Sequence, residues 1–179
     1  EELRIPETVT AIGARAFYSC VSLKSLNLPE GLTAIGQGLL AYCSSLEQLT
    51  LPPDITSIGS GAFTGCTRLG NMDIPGKVRT IGEQAFRGCE SITDIVLPDS
   101  VKIIYGKAFY GCVNLRTITI PSSVQRIGEL VFKDCSLDLV ALVEKGSVAY
   151  EYCDENLVDI VELIGEDTSE EEDENPFGL

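Results

Sequence analysis

Hydrophobic positions along this chain fall in pairs two residues apart, and the pairs recur. Leu26/Leu28, Leu49/Leu51, Met72/Ile74, Ile95/Leu97 and Ile118/Ile120 each flank a single residue. That period of two predicts short strands with one face turned inward. Each pair is followed by a proline of the series Pro6, Pro29, Pro52, Pro75, Pro98 and Pro121, which lacks an N–H and ends the pairing. A second apolar pair comes next, as in Val9/Ile12, Leu32/Ile35, Ile55/Ile58, Val78/Ile81, Val101/Ile104 and Val124/Ile127, and predicts a second short extended segment. Glycine follows at Gly13, Gly36, Gly59, Gly82 and Gly128, with Tyr105 in the remaining place, and is expected to supply a turn of positive φ. An Ala-Phe step then turns a ring inward from a single helical or 3₁₀ turn: Phe17, Phe63, Phe86, Phe109 and Phe132, with Leu40 in place of one ring. A cysteine closes each unit.

The spacing in every series is 23 residues. Such a period marks a solenoid, because one unit cannot bury its own apolar side and stacked units bury it on each other. The strands should align into a parallel sheet with rungs about 4.8 Å apart, with the Gly-Ala-Phe segments on the opposite, convex side. The pattern from Leu115 to Cys135, with departures at Leu130 and Val131, resembles the BspA-like, or Treponema-type, leucine-rich repeats, and the resemblance covers about residues 3–164. It implies an α/β-type solenoid rich in short strands, a right-handed leucine-rich-repeat superhelix with a parallel sheet and a C-terminal cap. It also implies a bacterial cell-surface or secreted protein, or a surface protein of a protist parasite, engaged in adhesion or host contact.

After Cys135 the pattern changes. In Leu137-Asp138-Leu139-Val140-Ala141-Leu142-Val143 the apolar positions arrive one residue early, and Glu144 stands where proline is due. Ser147 is a fit N-cap for a short helix through Cys153, and Leu157 to Ile164 alternates as a final strand. A cap from about residue 136 is expected, within a repeat domain spanning 1–164. At the other end an apolar edge near Leu3 and Ile5 is expected to be exposed, or covered by further repeats upstream.

Charge divides the chain. Its 179 residues carry a net −14, yet twelve of the 27 carboxylates lie in 151–179, which holds no Lys or Arg. Residues 1–150 are nearly balanced, which argues against nucleic acid as a partner. Residues 165–179 form an acidic tail expected to be disordered. Within it Asn175-Pro176-Phe177 resembles the short motif of eukaryotic endocytic ligands, which would imply a cytoplasmic setting. No apolar run is long enough to span a membrane.

Catalytic chemistry finds little support. The chain has no histidine, so Ser-His-Asp and Cys-His arrangements are excluded, and no phosphate-loop motif occurs around Gly59-Ser60-Gly61. Six of seven cysteines sit on the repeat. Stacked equivalents have parallel Cβ vectors, which suit neither a disulfide nor a tetrahedral metal cage, so a buried structural ladder of thiols is expected. No enzyme activity, cofactor or metal is expected. The candidate binding residues are those between and beside the inward strand positions: Lys24, Ser25, Asn27, Glu47, Gln48, Thr50, Asn71, Asp73, Asp94, Arg116, Thr117 and Thr119. They predict a mainly polar face for a protein, or alternatively a glycan. Tyr18, Tyr42 and Tyr110 lie on the opposite side, and Lys77, Arg79, Arg87, Lys102 and Lys107 make the middle repeats locally basic. A rigid binding scaffold at the cell surface or secreted is the reading that results. The alternatives are a structural spacer from a longer array and an intracellular interaction protein that uses its acidic tail.

Overall fold

The structure, a computed structural model, describes residues 2–163. The acidic tail expected at 165–179 and its Asn175-Pro176-Phe177 motif lie outside these. The chain is a solenoid of parallel β-structure with little helix. Strands are numbered in chain order, and all pair in parallel. Along one face run β1 (Glu2–Arg4), β2 (Ser25–Asn27), β4 (Gln48–Thr50), β7 (Asp94–Val96), β9 (Thr117–Thr119), β11 (Val140–Val143) and β12 (Asp159–Glu162). Along a second edge run β3 (Ala34–Ile35), β5 (Ser57–Ile58), β6 (Thr80–Ile81), β8 (Ile103–Ile104) and β10 (Arg126–Ile127). Register follows the repeat: Leu26 pairs with Leu49, Ile58 with Ile81, and Ile95 with Ile118. The inward member of each strand is buried and its neighbours face out, as in Gln48–Thr50 and Asp94–Val96.

The segment that was expected to form a helical turn does not. Its backbone alternates between two kinds of partner. Gly38 N–H donates to Ser60 O of the next unit (2.9 Å) and Leu39 N–H back to Gly36 O (3.2 Å); Leu40 donates to Ala62 O (2.9 Å) and Ala41 back to Gly38 O (3.1 Å). Helix is broken because two positions per unit are left-handed. One series runs Arg15, Gly38, Gly61, Gln84, Lys107 and Leu130, and the other Ser19, Tyr42, Gly65, Gly88, Gly111 and Asp134. The alternation satisfies every second N–H across units, so the turn face is itself a hydrogen-bonded ladder.

This corrects the expectation for the repeat glycine. Gly59, Gly82 and Gly128 have no positive φ. They are glycine because the coils touch there: a Cβ on Gly82 would stand 2.5 Å from the carbonyl carbon of Gly59 and from the nitrogen of Ser60. In the unit where Tyr105 takes this place, Gly106 provides the close approach, since a Cβ on it would come within 3.2 Å of Glu129 O.

The core is one continuous cluster. Phe63, Phe86 and Phe109 are fully buried and stacked, with centroids 5.2 Å apart in both steps, and Phe132 continues the column at 6.1 Å. Beside it run the thiols. Five of them donate to a carbonyl of the preceding unit, among them Cys66 to Leu40 O (3.1 Å), Cys89 to Phe63 O (3.2 Å) and Cys112 to Phe86 O (3.2 Å). None is in a disulfide. Burial pushes Cys43 up to about 11 and Cys66 up to about 12, and it holds Cys89 well above the ordinary thiol value. Cys20 departs from the expected ladder and is exposed, because no described unit lies on its outer side. Thiol titration of the native protein with Ellman's reagent should therefore show one fast group, lost in Cys20→Ser, with Cys135 slower and the others reacting only in denaturant. Seven thiols of equal rate would contradict this ladder.

At the C-terminal end Ser147 caps α1 (Val148–Glu155) through its hydroxyl, which accepts from Tyr150 N–H (3.1 Å). Tyr152 sets its ring edge against Phe132 and accepts a hydrogen bond from Val131 N–H (2.9 Å) at its hydroxyl, closing the aromatic column. The expected one-residue advance before β11 is absent from the strand. Ala141 pairs with Ile118 and is buried together with Val143, while Val140 and Leu142 face out half-buried. The slack is taken up earlier, where Leu137 is fully exposed and Leu139 buried. The final strand is Asp159–Glu162, shorter than expected, with its acidic ends at the sheet edge. At the other edge Leu3 is exposed and Ile5 half-buried.

Candidate functional site: the sheet face and its interrupted rung

All twelve candidate residues lie on the sheet face. Ser25, Thr117 and Thr119 are half-buried and the other nine exposed. The period-two pattern puts Ser25, Asn27, Gln48, Thr50, Asp94, Thr117 and Thr119 there as the outward strand positions, and Lys24, Glu47 and Arg116 stand just before those strands. No alternative register keeps Leu26, Leu49, Ile95 and Ile118 inside. The face is not continuous. One rung was expected at Asn71-Met72-Asp73, and no strand forms. The sheet face is therefore two sheets, β1-β2-β4 and β7-β9-β11-β12.

The reason lies in Asn71. Its side-chain Oδ1 accepts from the N–H groups of Thr93 (2.8 Å) and Asp94 (3.2 Å), the place a ladder carbonyl takes elsewhere. In the neighbouring unit the corresponding bond runs from Arg116 N–H to Thr93 O (2.7 Å). With that place taken, the backbone groups of residues 71–74 make no hydrogen bond to either neighbouring strand. Gly70, Asn71 and Asp73 are residue types depleted from strands, and Met72 is the chain's single methionine. Such composition could have flagged the rung. The side-chain substitution could not be foreseen, because Ser25-Leu26-Asn27 has similar polarity and pairs normally.

A cavity of about 610 Å3 opens at the interruption. It is lined by Gln48, Thr50, Asn71, Asp73 and Asp94 among the candidate residues, and by Leu49, Leu51, Met72, Ile74, Ile95, Val96 and Pro98. Its polar wall is organised by Asp94. That carboxylate accepts from the Thr117 hydroxyl, from the Thr93 hydroxyl (2.6 Å) and from Asn71 Nδ2 (3.3 Å). These bonds, led by Thr117, hold it below the usual aspartate range. The wall is thus anionic near neutral pH, with no cation among the lining residues. Asp73 lines the same cavity but stands diagonal to Asp94, whose register partner is Asn71. Lys24, Ser25, Asn27, Arg116 and Thr119 share the face without lining the cavity, and Glu47 is engaged by Arg68 at 2.7 Å.

The locally basic set does not form one patch. Lys77 pairs with Asp54, whereas Arg87 lies 5.4 Å over the Tyr110 ring on the turn face. Among the described residues no group of three or more His, Cys, Asp or Glu is placed to hold a metal ion. No helix there is long and apolar enough to cross a membrane.

Short parallel strands, an inward Phe column and a 23-residue register define a leucine-rich-repeat solenoid. The chain belongs to the BspA type leucine rich repeat region family, which it matches in six copies over residues 1–112 and 80–164. Among solved structures it is similar to a leucine-rich repeat protein from Bacteroides ovatus, with 32% identity and a TM-score of 0.74, covering 82% of this chain and 38% of that one. It is similar also to the leucine-rich repeat protein of T. pallidum, with 32% identity and a TM-score of 0.73, covering 79% of this chain and 68% of that one. A leucine-rich cell surface protein of Faecalibacterium prausnitzii matches at 26% identity and a TM-score of 0.65, over 91% of this chain and 52% of its own. No curated protein matches the chain.

Proposed function

We propose that this chain is a non-enzymatic protein-binding scaffold of a cell-surface or secreted adhesion or interaction protein, and that its contact surface is the sheet face around the interrupted rung. The interrupted rung carries this reading. Unpaired main-chain groups at residues 71–74 lie against a cavity bordered by fixed polar side chains. Such groups form strong hydrogen bonds with any extended polypeptide that meets them. The surface location of the F. prausnitzii relative supports the setting.

The test uses a partner captured from bacterial or host surface material and measures its affinity for defined variants. Replacing Asn71, Met72 and Asp73 together by the Thr-Ile-Thr of β9 should restore the rung without unfolding the solenoid, and should weaken binding by about tenfold or more. Asp73→Ala should weaken it about fivefold or more, by the usual cost of a contact residue at an interface centre. Unchanged affinity in these variants and in Asn27→Ala and Arg116→Ala would overturn the sheet-face reading and leave the chain a spacer.

A further inference from the structure

The turn face carries a second concavity that the sheet-face reading does not use. It spans about 320 Å3, within the range of small-ligand sites. Two tyrosines border it. Tyr18 and Tyr42 are 49% and 44% exposed, with ring centroids 5.4 Å apart and planes at 72°. Tyr42 lays its ring edge over Gly65 and meets Tyr18 on its other side.

The floor is made small by the sequence. At one repeat position the residues run Arg15, Gly38, Gly61 and Gln84, and three further along they run Tyr18, Ala41, Thr64 and Arg87. Only the second and third units have two small residues at both places, so the trough is bounded by larger side chains in the first and fourth. At rung spacing its length is about 14 Å. The Gly38 and Gly61 N–H groups are spent on the ladder, donating to Ser60 O and Glu83 O. An extended peptide would thus find no free main-chain edge here, in contrast to the interrupted rung. The available polar groups are side chains. The Tyr18 and Tyr42 hydroxyls, Ser60, Gln37, Arg15 and Glu83 make no hydrogen bond or ion pair across the trough in the structure. One cation and one carboxylate leave the lining without net charge.

We propose that this trough binds an uncharged saccharide. A pyranose presents an apolar C–H face and a rim of vicinal hydroxyls. The C–H face fits against the electron-rich face of a tyrosine ring. The hydroxyls pair with planar amide, guanidinium and carboxylate groups that offer two atoms at once. A protein partner is the weaker fit, because the floor has no apolar pocket to desolvate an anchoring side chain.

The test titrates the whole chain with maltohexaose, cellohexaose, chitohexaose and mannohexaose and follows the backbone amides by 15N NMR. At least one sugar should shift the Gly38, Ala41 and Gly61 amides with a Kd below about 10 mM. Tyr18→Ala, which removes a half-exposed ring and leaves the core intact, should weaken that binding about tenfold or more. Ser60→Arg, which fills the floor from a solvent-facing position, should abolish it with an unchanged far-UV spectrum. No amide shift with any of the four sugars, or shifts that persist in Ser60→Arg, would overturn the proposal. So would a displayed-peptide selection whose binders shift these amides where no sugar does. Variants at Asn71 to Asp73 should leave the sugar response unchanged, which keeps this proposal separate from the sheet-face reading.

Discussion

Phe86→Ala is expected to lower the stability of the solenoid by about 3–5 kcal/mol and to divide its unfolding into two steps. Phe86 is fully buried and stacks 5.2 Å from Phe63 on one side and 5.2 Å from Phe109 on the other. Removing the ring takes away apolar burial and leaves a gap in the middle of the column. The ladders on either side, tied by Gly61 N–H to Glu83 O and Gly82 N–H to Ile58 O, cannot close over it without moving. In a repeat protein stability is approximately a sum of unit and neighbour terms, so a weakened central interface lets the two halves melt apart. Urea unfolding followed by circular dichroism should show a shifted midpoint and a broadened or biphasic transition, against a single transition in the parent. Phe17→Ala, at a half-buried ring in the first described unit, should cost much less, about 1–2 kcal/mol. Equal losses at Phe17 and Phe86 would show that the column does not couple the units.

Most of this architecture is written in the periodicity. The 23-residue combs placed the strands of Leu26, Leu49, Ile95 and Ile118, their parallel order, the buried phenylalanines and most of the thiol ladder. They do so because stacked units demand the same side chain at the same place. Four features escaped them, the first being the repeat glycine, which at Gly59, Gly82 and Gly128 serves the contact between coils and not a positive φ. The helical turn was inferred from Ala-Phe; glycine marks five of the twelve left-handed positions that prevent it, but the other seven are as diverse as Arg15, Gln84 and Leu130, so the series does not stand out as a comb. The one-residue slip inferred from Val140 and Leu142 mistook outward, half-buried positions for inward ones. Ala141 holds the register because β9 pairs with it. The missing rung at Asn71 needs a side chain to take over a backbone role, and hydrophobic patterning is blind to that. The candidate face was legible as a set of alternating positions; which five of its twelve residues surround a cavity was not.

The two faces differ in how their backbone groups are used, and this separates their chemistry. On the turn face alternate N–H groups cross to the next unit through the trough region, so recognition there is left to side chains. On the sheet face the ladder fails at one rung, and main-chain groups become available beside the Asp94 network. A scaffold built from one repeated unit thus acquires two unlike concavities by changing a few residues between the invariant ones. The Ser60 and Gly61 positions on one face and Asn71 and Asp73 on the other are such residues.

Gly82→Ala should cost about 3 kcal/mol, the upper end of what overpacking costs, although it adds only one methyl group. The added Cβ would meet the Gly59 carbonyl carbon and the Ser60 nitrogen at 2.5 Å and the Gly59 oxygen at 2.8 Å. All three are main-chain atoms, so no rotamer change relieves the clash. The rung is pinned there by Gly82 N–H to Ile58 O (2.8 Å) and Gly61 N–H to Glu83 O (2.8 Å), so relief means lengthening hydrogen bonds of both ladders. Gly13 is the internal control. It holds the same repeat position at an ordinary φ, and a Cβ there would meet nothing within 4 Å. Gly13→Ala should be neutral or stabilising by up to about 1 kcal/mol, through the smaller freedom of its unfolded chain. If the glycine instead served a left-handed turn, both substitutions would cost about the same, 1–2 kcal/mol. Urea midpoints of the two single variants and the parent decide between them: a large loss at Gly82 with none at Gly13 assigns the glycine comb to the contact between coils, and equal losses return it to the turn.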